Sequence, residues 1–251
     1  MQYFKNFPRV PYVFGNLKEI GGPRVTTEIF QNISAAADIF EDVKNNSVFY
    51  SFYSVQDGDR PDQTSTFIYD TPIYHWTFAL MNDKIKEKGW PLSNDDIEKK
   101  AKVDFPHTFI NTRNLLTGIM LPGQTVEGLQ SGARGVVLRR QLDLGNIIVD
   151  KKTTANFVAG EVVRNVSFVA GDTGEIIVQS TGEEHLASHH FIDGDGDRVD
   201  IDPLSAPGAL LTEVTNLDRY VKDNEDLRLI RVIKRENVEE ISSIFKQAIE
   251  T

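Results

Sequence analysis

Asp193-Gly194-Asp195-Gly196-Asp197 holds the side chains whose type and spacing come nearest to a metal site, because calcium takes carboxylate oxygens spaced along a single loop. The rest of a calcium loop does not follow. Counted from Asp193, Arg198 stands where glycine should make the sharp turn and Leu204 where a bidentate glutamate should close the coordination. A hairpin between His189–Ile192 and Arg198–Ile201, with glycines supplying positive φ, is the favoured reading. His185, His189 and His190 lie beside these aspartates and suggest a transition-metal site. Their spacing argues against it: Ala187–Ile192 reads as a strand, on which His189 and His190 point to opposite faces. No nucleophile elbow, P-loop, zinc-protease helix or dinucleotide fingerprint is present, and Asp57, Asp59, Asp62 and Asp70 read as solvated carboxylates near a turn. With no cysteine, disulfides, thiolate catalysis and thiolate metal sites are excluded. No catalytic residue, metal ligand or cofactor is assigned, and the expectation is a protein that is not an enzyme.

The bounds agree with a binding role. At 251 residues and 40% hydrophobic content the chain can bury a core, while a formal net charge of −10 argues against nucleic acid, whose binders gain affinity from basic contacts. No apolar run reaches the length of about 18 residues that a membrane span requires, and MQYFKNFPRVPYVFG lacks the apolar core of a signal peptide. Neither membrane association nor signal-peptide secretion is expected, and the lack of cysteine fits a reducing compartment such as a bacterial cytoplasm.

Tryptophan and tyrosine concentrate between Val48 and Ser93. Val48–Val55 is aromatic and β-branched and reads as a strand, and Gln56–Pro61 supplies the turn that ends it. Phe67, Ile68, Trp76, Leu80 and Met81 then recur at helical steps. The stripe breaks at Asp70-Thr71-Pro72, where Pro72 pushes Thr71 from the α region and opens a second helix. Gly89-Trp90-Pro91-Leu92 returns as an extended piece expected to pair with the first strand, which closes a βααβ unit.

This unit resembles a LysM-type domain, with Tyr53 before the turn, Gly58-Asp59 in it, Ile68-Tyr69 ending the first helix and Leu80–Asn82 ending the second. Arg60-Pro61, Ile68-Tyr69, Pro72, Tyr74, Trp76, Leu80, Asn82-Asp83 and Gly89-Trp90 resemble, more closely, the LysM-like wedge proteins that join neighbouring wedges in the baseplate of contractile-tailed bacteriophages. The resemblance continues in Asn224-Glu225, Leu227-Arg228 and Ile230–Ile233 and weakens in the middle of the chain. It implies a structural virion component of the tail baseplate, assembled in the host cytoplasm, whose partners are other wedge subunits and neighbouring wedges. The interface residues it suggests are Arg60, Pro61, Tyr69, Tyr74, Trp76 and Trp90, of the aromatic and arginine types that dominate interfaces, joined by Phe245 and Ile249 of a terminal helix. Two alternatives stand beside it: a LysM-type peptidoglycan-binding protein, which alone would bind glycan, and, less favoured, a metal-dependent enzyme using His185–Asp202.

The flanks complete an α+β chain. Residues 1–46 form an N-terminal arm, aromatic but broken by Pro8, Pro11 and Pro23, and a short helix within Thr27–Lys44 carrying Ile29, Phe30, Ile33, Ala36, Ala37, Phe40 and Val43. Residues 47–112 hold the LysM-like domain and a following surface helix that begins at Ser93–Asp96 and ends before Pro106. Residues 113–210 read as an inserted all-β domain with a duplicated hairpin, Leu121–Val126 with Ser131–Val137 against Val158–Val163 with Val169–Ile177. The ends of its β region, about Ile119–Thr181, are expected to lie close together. Residues 211–251 give a strand at Leu227–Ile233 and a docking helix striped by Val238, Ile241, Ile244, Phe245, Ala248 and Ile249.

Overall fold

The computed structural model describes residues 9–17, 24–31, 39–166, 174–205 and 207–250. Strands β1 (Arg9–Leu17) and β2 (Arg24–Gln31) form an antiparallel hairpin, followed by α1 (Ile39–Asn45) and β3 (Tyr50–Ser54). Helices α2 (Pro61–Tyr69), α3 (Trp76–Met81), α4 (Asp83–Lys88) and α5 (Asn94–Asp104) come next. The β-rich stretch then runs through β4 (Thr108–Asn111), β5 (Thr125–Gly128), β6 (Arg134–Gln141), β7 (Asn146–Lys151) and β8 (Val162–Asn165). It continues through β9 (Glu175–Ile177), β10 (Ser180–Glu183), β11 (Ser188–Ile192), β12 (Arg198–Val199) and β13 (Thr212–Thr215). Helix α6 (Asn216–Arg228), β14 (Leu229–Ile233) and α7 (Val238–Glu250) end the chain. The fold is α+β. Two compact units emerge, residues 1–93 with 224–251 and residues 94–223. The insert is therefore larger than the 113–210 read from sequence, and it takes in α5, β4, β13 and most of α6.

In the first unit β3 pairs with β14, from Leu229 opposite Ser54 to Ile233 opposite Tyr50, and not with the Trp90 segment as expected. Pro91 has no N–H to give a ladder, and Trp90 is held elsewhere, its Nε1–H donating to the Asp59 carbonyl at 2.7 Å. Helix α2 starts at Pro61, where the Gln63 side chain accepts the Arg60 N–H at 3.0 Å, and stops at Asp70, left-handed at φ 58. Thr71 is extended and Pro72 opens a short 3-10 turn, so the expected helix break is present. Phe67, placed on the apolar stripe by spacing, points outward and is 68% exposed. The helix expected within Thr27–Lys44 is another correction: Ile29 and Phe30 belong to β2, and only α1 with Phe40 and Val43 is helical among the described residues. Ile33, Ala36 and Ala37 lie outside them.

The insert carries a seven-stranded antiparallel sheet in the order β10-β4-β7-β6-β5-β8-β9. Its apolar layer joins Ile110, Val126, Val137, Ile147, Val149, Val163 and Ile176. The duplicated hairpin is visible bond for bond. Gly123 N–H donates to Val137 O at 2.7 Å and Val137 N–H to Gln124 O at 2.9 Å; Gly160 N–H donates to Val178 O at 2.7 Å and Val178 N–H to Glu161 O at 3.0 Å. In each copy the side chain closes its own turn, Gln124 accepting from Leu121 N–H and Glu161 from Val158 N–H, both at 2.6 Å. Gly123 and Gly160 sit at φ 90 and φ 87, where a side chain would be strained. Residues 167–173, part of the second copy, lie outside the described residues.

Glu161 does more than close its own turn. The carboxylate, in a residue only 2% exposed, also accepts from Ser131 N–H at 2.9 Å, Gln130 N–H at 3.2 Å and Ser131 Oγ–H at 2.9 Å, and so fastens the second hairpin to the first. Burial opposes its charge, but the hydrogen bonds from Ser131, Val158 and Gln130 prevail and hold the carboxyl below the usual glutamate value of 4.5. A depressed folded-state value contributes stability above 4.5 that is lost as pH falls through the lower folded value. Glu161→Gln should therefore cost the insert about 2 kcal/mol near neutral pH, with the deficit shrinking in acid, as urea unfolding across a pH series will test. An equal deficit at all pH values would mean that the carboxylate charge contributes nothing.

Where the chain leaves and rejoins the first unit, Asn224 Oδ1 accepts from Leu92 N–H at 2.8 Å and Asn224 Nδ2–H donates to Leu92 O at 3.1 Å. One side chain thus ties the chain at Leu92 to its return at Asn224. Replacing residues 94–223 with a short Gly/Ser linker should leave a cooperatively folding first unit whose Ser51 and Tyr53 amides resist hydrogen exchange. Loss of that protection would show that the first unit cannot stand alone.

Candidate interaction surface

The structure divides the sequence-predicted interface residues between interior and surface. Trp76 is 3% exposed and Phe245 fully buried; their rings stack at 5.0 Å between centroids, and Phe40 meets Phe245 edge-on at 5.1 Å. Tyr69 is buried too, its hydroxyl donating to Ile233 O at 2.9 Å, and burial pushes the phenol well above its usual range. These three are core side chains, a correction to their assignment as a surface. Helix α7 docks on its own chain through Phe245, while the Ile249 side chain lies outside the described residues.

Trp90 and Tyr74 are half-buried: Trp90 lies 5.7 Å from Phe78 and Tyr74 packs edge-on against Tyr69 at 5.7 Å. Arg60 is exposed and Pro61 half-buried, and the Arg60 guanidinium grips Asp62 through Nη2 at 2.7 Å. That contact leaves the Asp62 carboxyl below its usual range. Among the described members of the predicted set, Arg60 is the exposed one, with its guanidinium paired to Asp62.

The sheet supplies what the sequence reading missed. Pleat parity puts Ile230 and Val232 on the buried face of β14 and Leu229 and Arg231 on the other, beside Phe52 of β3. Phe52 is 62% exposed and meets Tyr50 edge-on at 5.7 Å, while the Arg231 guanidinium sits over the Tyr50 ring at 5.3 Å. A groove runs beside them, lined by Asn82–Ile85 and by Leu227, Leu229 and Arg231. An aromatic pair beside an arginine has the composition of an interface centre. The signal was in the sequence, since Phe52 alternates with the inward Tyr53, but no single strand reveals which face stays uncovered.

The residues that suggested metal chemistry are dispersed. The Asp193–Asp197 loop is a hairpin turn between β11 and β12, in which Asp193 Oδ1 accepts from the Asp195 and Asp197 amides at 3.0 Å. His185 is buried in a separate cleft, its Nδ1 3.5 Å from Glu183 Oε2. His189 and His190 do not point apart as strand parity requires. A register shift between Ser188 and His190 turns their rings together, Nδ1 to Nδ1 at 2.8 Å, and Arg219 Nη1 lies 3.0 Å from His189 Nε2. Burial, with Arg219 near His189 and Arg198 near His190, holds both imidazoles below their usual value. Among the described residues no three metal-ligating side chains converge, and no helix is long and apolar enough to cross a membrane.

Truncating a core aromatic differs measurably from truncating a surface one. Phe245→Ala should destabilise the first unit by about 3–5 kcal/mol in denaturant unfolding, whereas Arg60→Ala should leave the midpoint nearly unchanged. An unchanged midpoint for Phe245→Ala would return that residue to the surface.

No family model matches the chain, and no curated protein matches it; the family reading rests on the residues themselves.

Proposed function

We propose that this chain is a structural component of the tail baseplate of a contractile-tailed bacteriophage, joining adjacent wedges through protein–protein contacts. One observation supports this reading. The two sequence segments that resemble LysM-like wedge proteins, Arg60–Trp90 and Asn224–Ile233, are far apart in the chain yet belong to one compact unit, with β3 paired to β14 inside it. Two distant segments that resemble one family thus meet in the same compact unit, around one strand pair. Binding is then the chemistry, and Arg60 together with the Phe52, Tyr50 and Arg231 face are the groups available for it. The net charge of −10 would steer the chain toward basic surfaces of its partners. Its place is the virion, as part of the baseplate.

Co-expression with the wedge proteins of a contractile-tail baseplate, followed by size-exclusion chromatography, tests the proposal. The chain should co-elute in a wedge complex, and Phe52→Lys combined with Arg60→Glu should reduce co-elution while leaving the fold intact. Retention on peptidoglycan sacculi without any wedge complex would replace this reading with glycan binding.

A further inference from the structure

The two edges of the small sheet are treated differently. Val55 N–H donates to Arg228 O and Lys234 N–H to Phe49 O, both at 2.9 Å, which sets the parity of the β3–β14 ladder: Ser51 and Tyr53 point their backbone groups at β14, and Tyr50, Phe52 and Ser54 point theirs away. On the far edge of β14 the equivalent outward groups belong to Arg231, and the Asn82 side chain takes both. Its Nδ2–H donates to Arg231 O at 2.8 Å and its Oδ1 accepts from Arg231 N–H at 2.8 Å, so an amide stands in for a neighbouring strand. On the far edge of β3 the Ser54 carbonyl accepts from the Gln56 amide at 3.0 Å, and among the described residues no strand pairs with this edge.

Exposed edges are normally guarded by lysine, proline, a bulge or an inward charge. This one has none: Val48–Gln56 holds no charged residue, proline or glycine, and the register with β14 runs without a shift. In a chain of net charge −10, a stretch of that length without charge is also the place where two copies can approach without like charges meeting. The register is self-complementary. Because Phe52 directs both its N–H and its C=O outward, a two-fold axis through it makes Phe52 and the Phe52 of a second copy a reciprocally bonded pair, with Tyr50 opposite Ser54 and Val48 opposite Gln56.

We propose that β3 is a self-pairing edge, by which two copies of this chain join antiparallel into one sheet of order β14-β3-β3-β14, with the Phe52 side chains adjacent on its open face. This goes beyond the wedge reading and does not depend on it, since the pairing would form whatever other partners the chain has. The contact is short, so the dimer is weak and concentration-dependent.

Sedimentation equilibrium on the full chain, with hydrogen exchange resolved at residues 50–54, tests it. A reversible dimer is expected, with protection of the Phe52 amide that rises with protein concentration while Ser51 and Tyr53 stay protected throughout. Phe52→Lys places two lysines opposite each other and should weaken the dimer by about tenfold or more. Phe52→Pro removes an N–H that the β3–β14 ladder does not use and should weaken it similarly, with protected Ser51 and Tyr53 amides confirming that each variant folds. A monomer at every concentration, a dimer unchanged in both variants, or Phe52 protection that appears only when another protein is added would overturn the proposal.

Discussion

Pairing of β3 with β14 is the contact on which the first unit depends, and it is a costly one to form. Asn82 and Arg231, which meet across the edge of β14, are 149 positions apart. Closing an unstructured loop of that length costs entropy that grows as (3/2)RT ln n. The insert removes much of this cost by folding between the two halves with its ends held at Leu92 and Asn224. Shortening the effective loop from well over a hundred residues to fewer than about twenty returns about 2 kcal/mol. The Leu92–Asn224 clamp and the Asn82–Arg231 bonds thus act together: one side-chain amide gathers the ends, another seals the edge of the strand that the gathered ends deliver.

Local signals in the sequence were reliable where local physics decides. The β3 strand, the stop at Asp70-Thr71-Pro72, the start of α5, the hairpin through Asp193–Asp197 and the strand and helix at the C-terminus all follow from propensity, capping and turn chemistry. Partner choice is where reading failed. Trp90 and Leu229–Ile233 both look extended, and only the missing N–H of Pro91 hinted that the nearer one could not pair. Ile29 and Phe30 fit a helical period, but Val25, Thr26 and Thr27 beside them are β-branched, and pairing with β1 overrode the period. The aromatic anchors failed for another reason: the area and stiffness that make Trp76 or Tyr69 a good interface residue make it an equally good core residue, and composition does not say which surface it covers. His189 and His190 escaped because a single register shift cancels strand parity.

In the duplicated hairpin a buried carboxylate ties one copy to the other. Gln124 and Glu161 close their turns identically, and the Glu161 carboxylate also accepts from Ser131 and Gln130 of the other copy. The same carboxylate crowds its neighbour. A Cβ on Gly128 would lie 2.6 Å from both Glu161 Oε2 and Ser131 Oγ, so a side chain there would push the carboxylate and the serine out of place.

Placement of the indoles has a spectroscopic consequence. The chain has only two tryptophans, Trp76 and Trp90, and both lie in the first unit, one stacked on Phe245 and the other beside Phe78. Tryptophan emission therefore follows that unit alone, while far-ultraviolet dichroism sums over helices and strands of both. The two signals need no added label to separate the melting of one unit from the other, and any gap between their unfolding curves measures how far the chain departs from a single all-or-none transition.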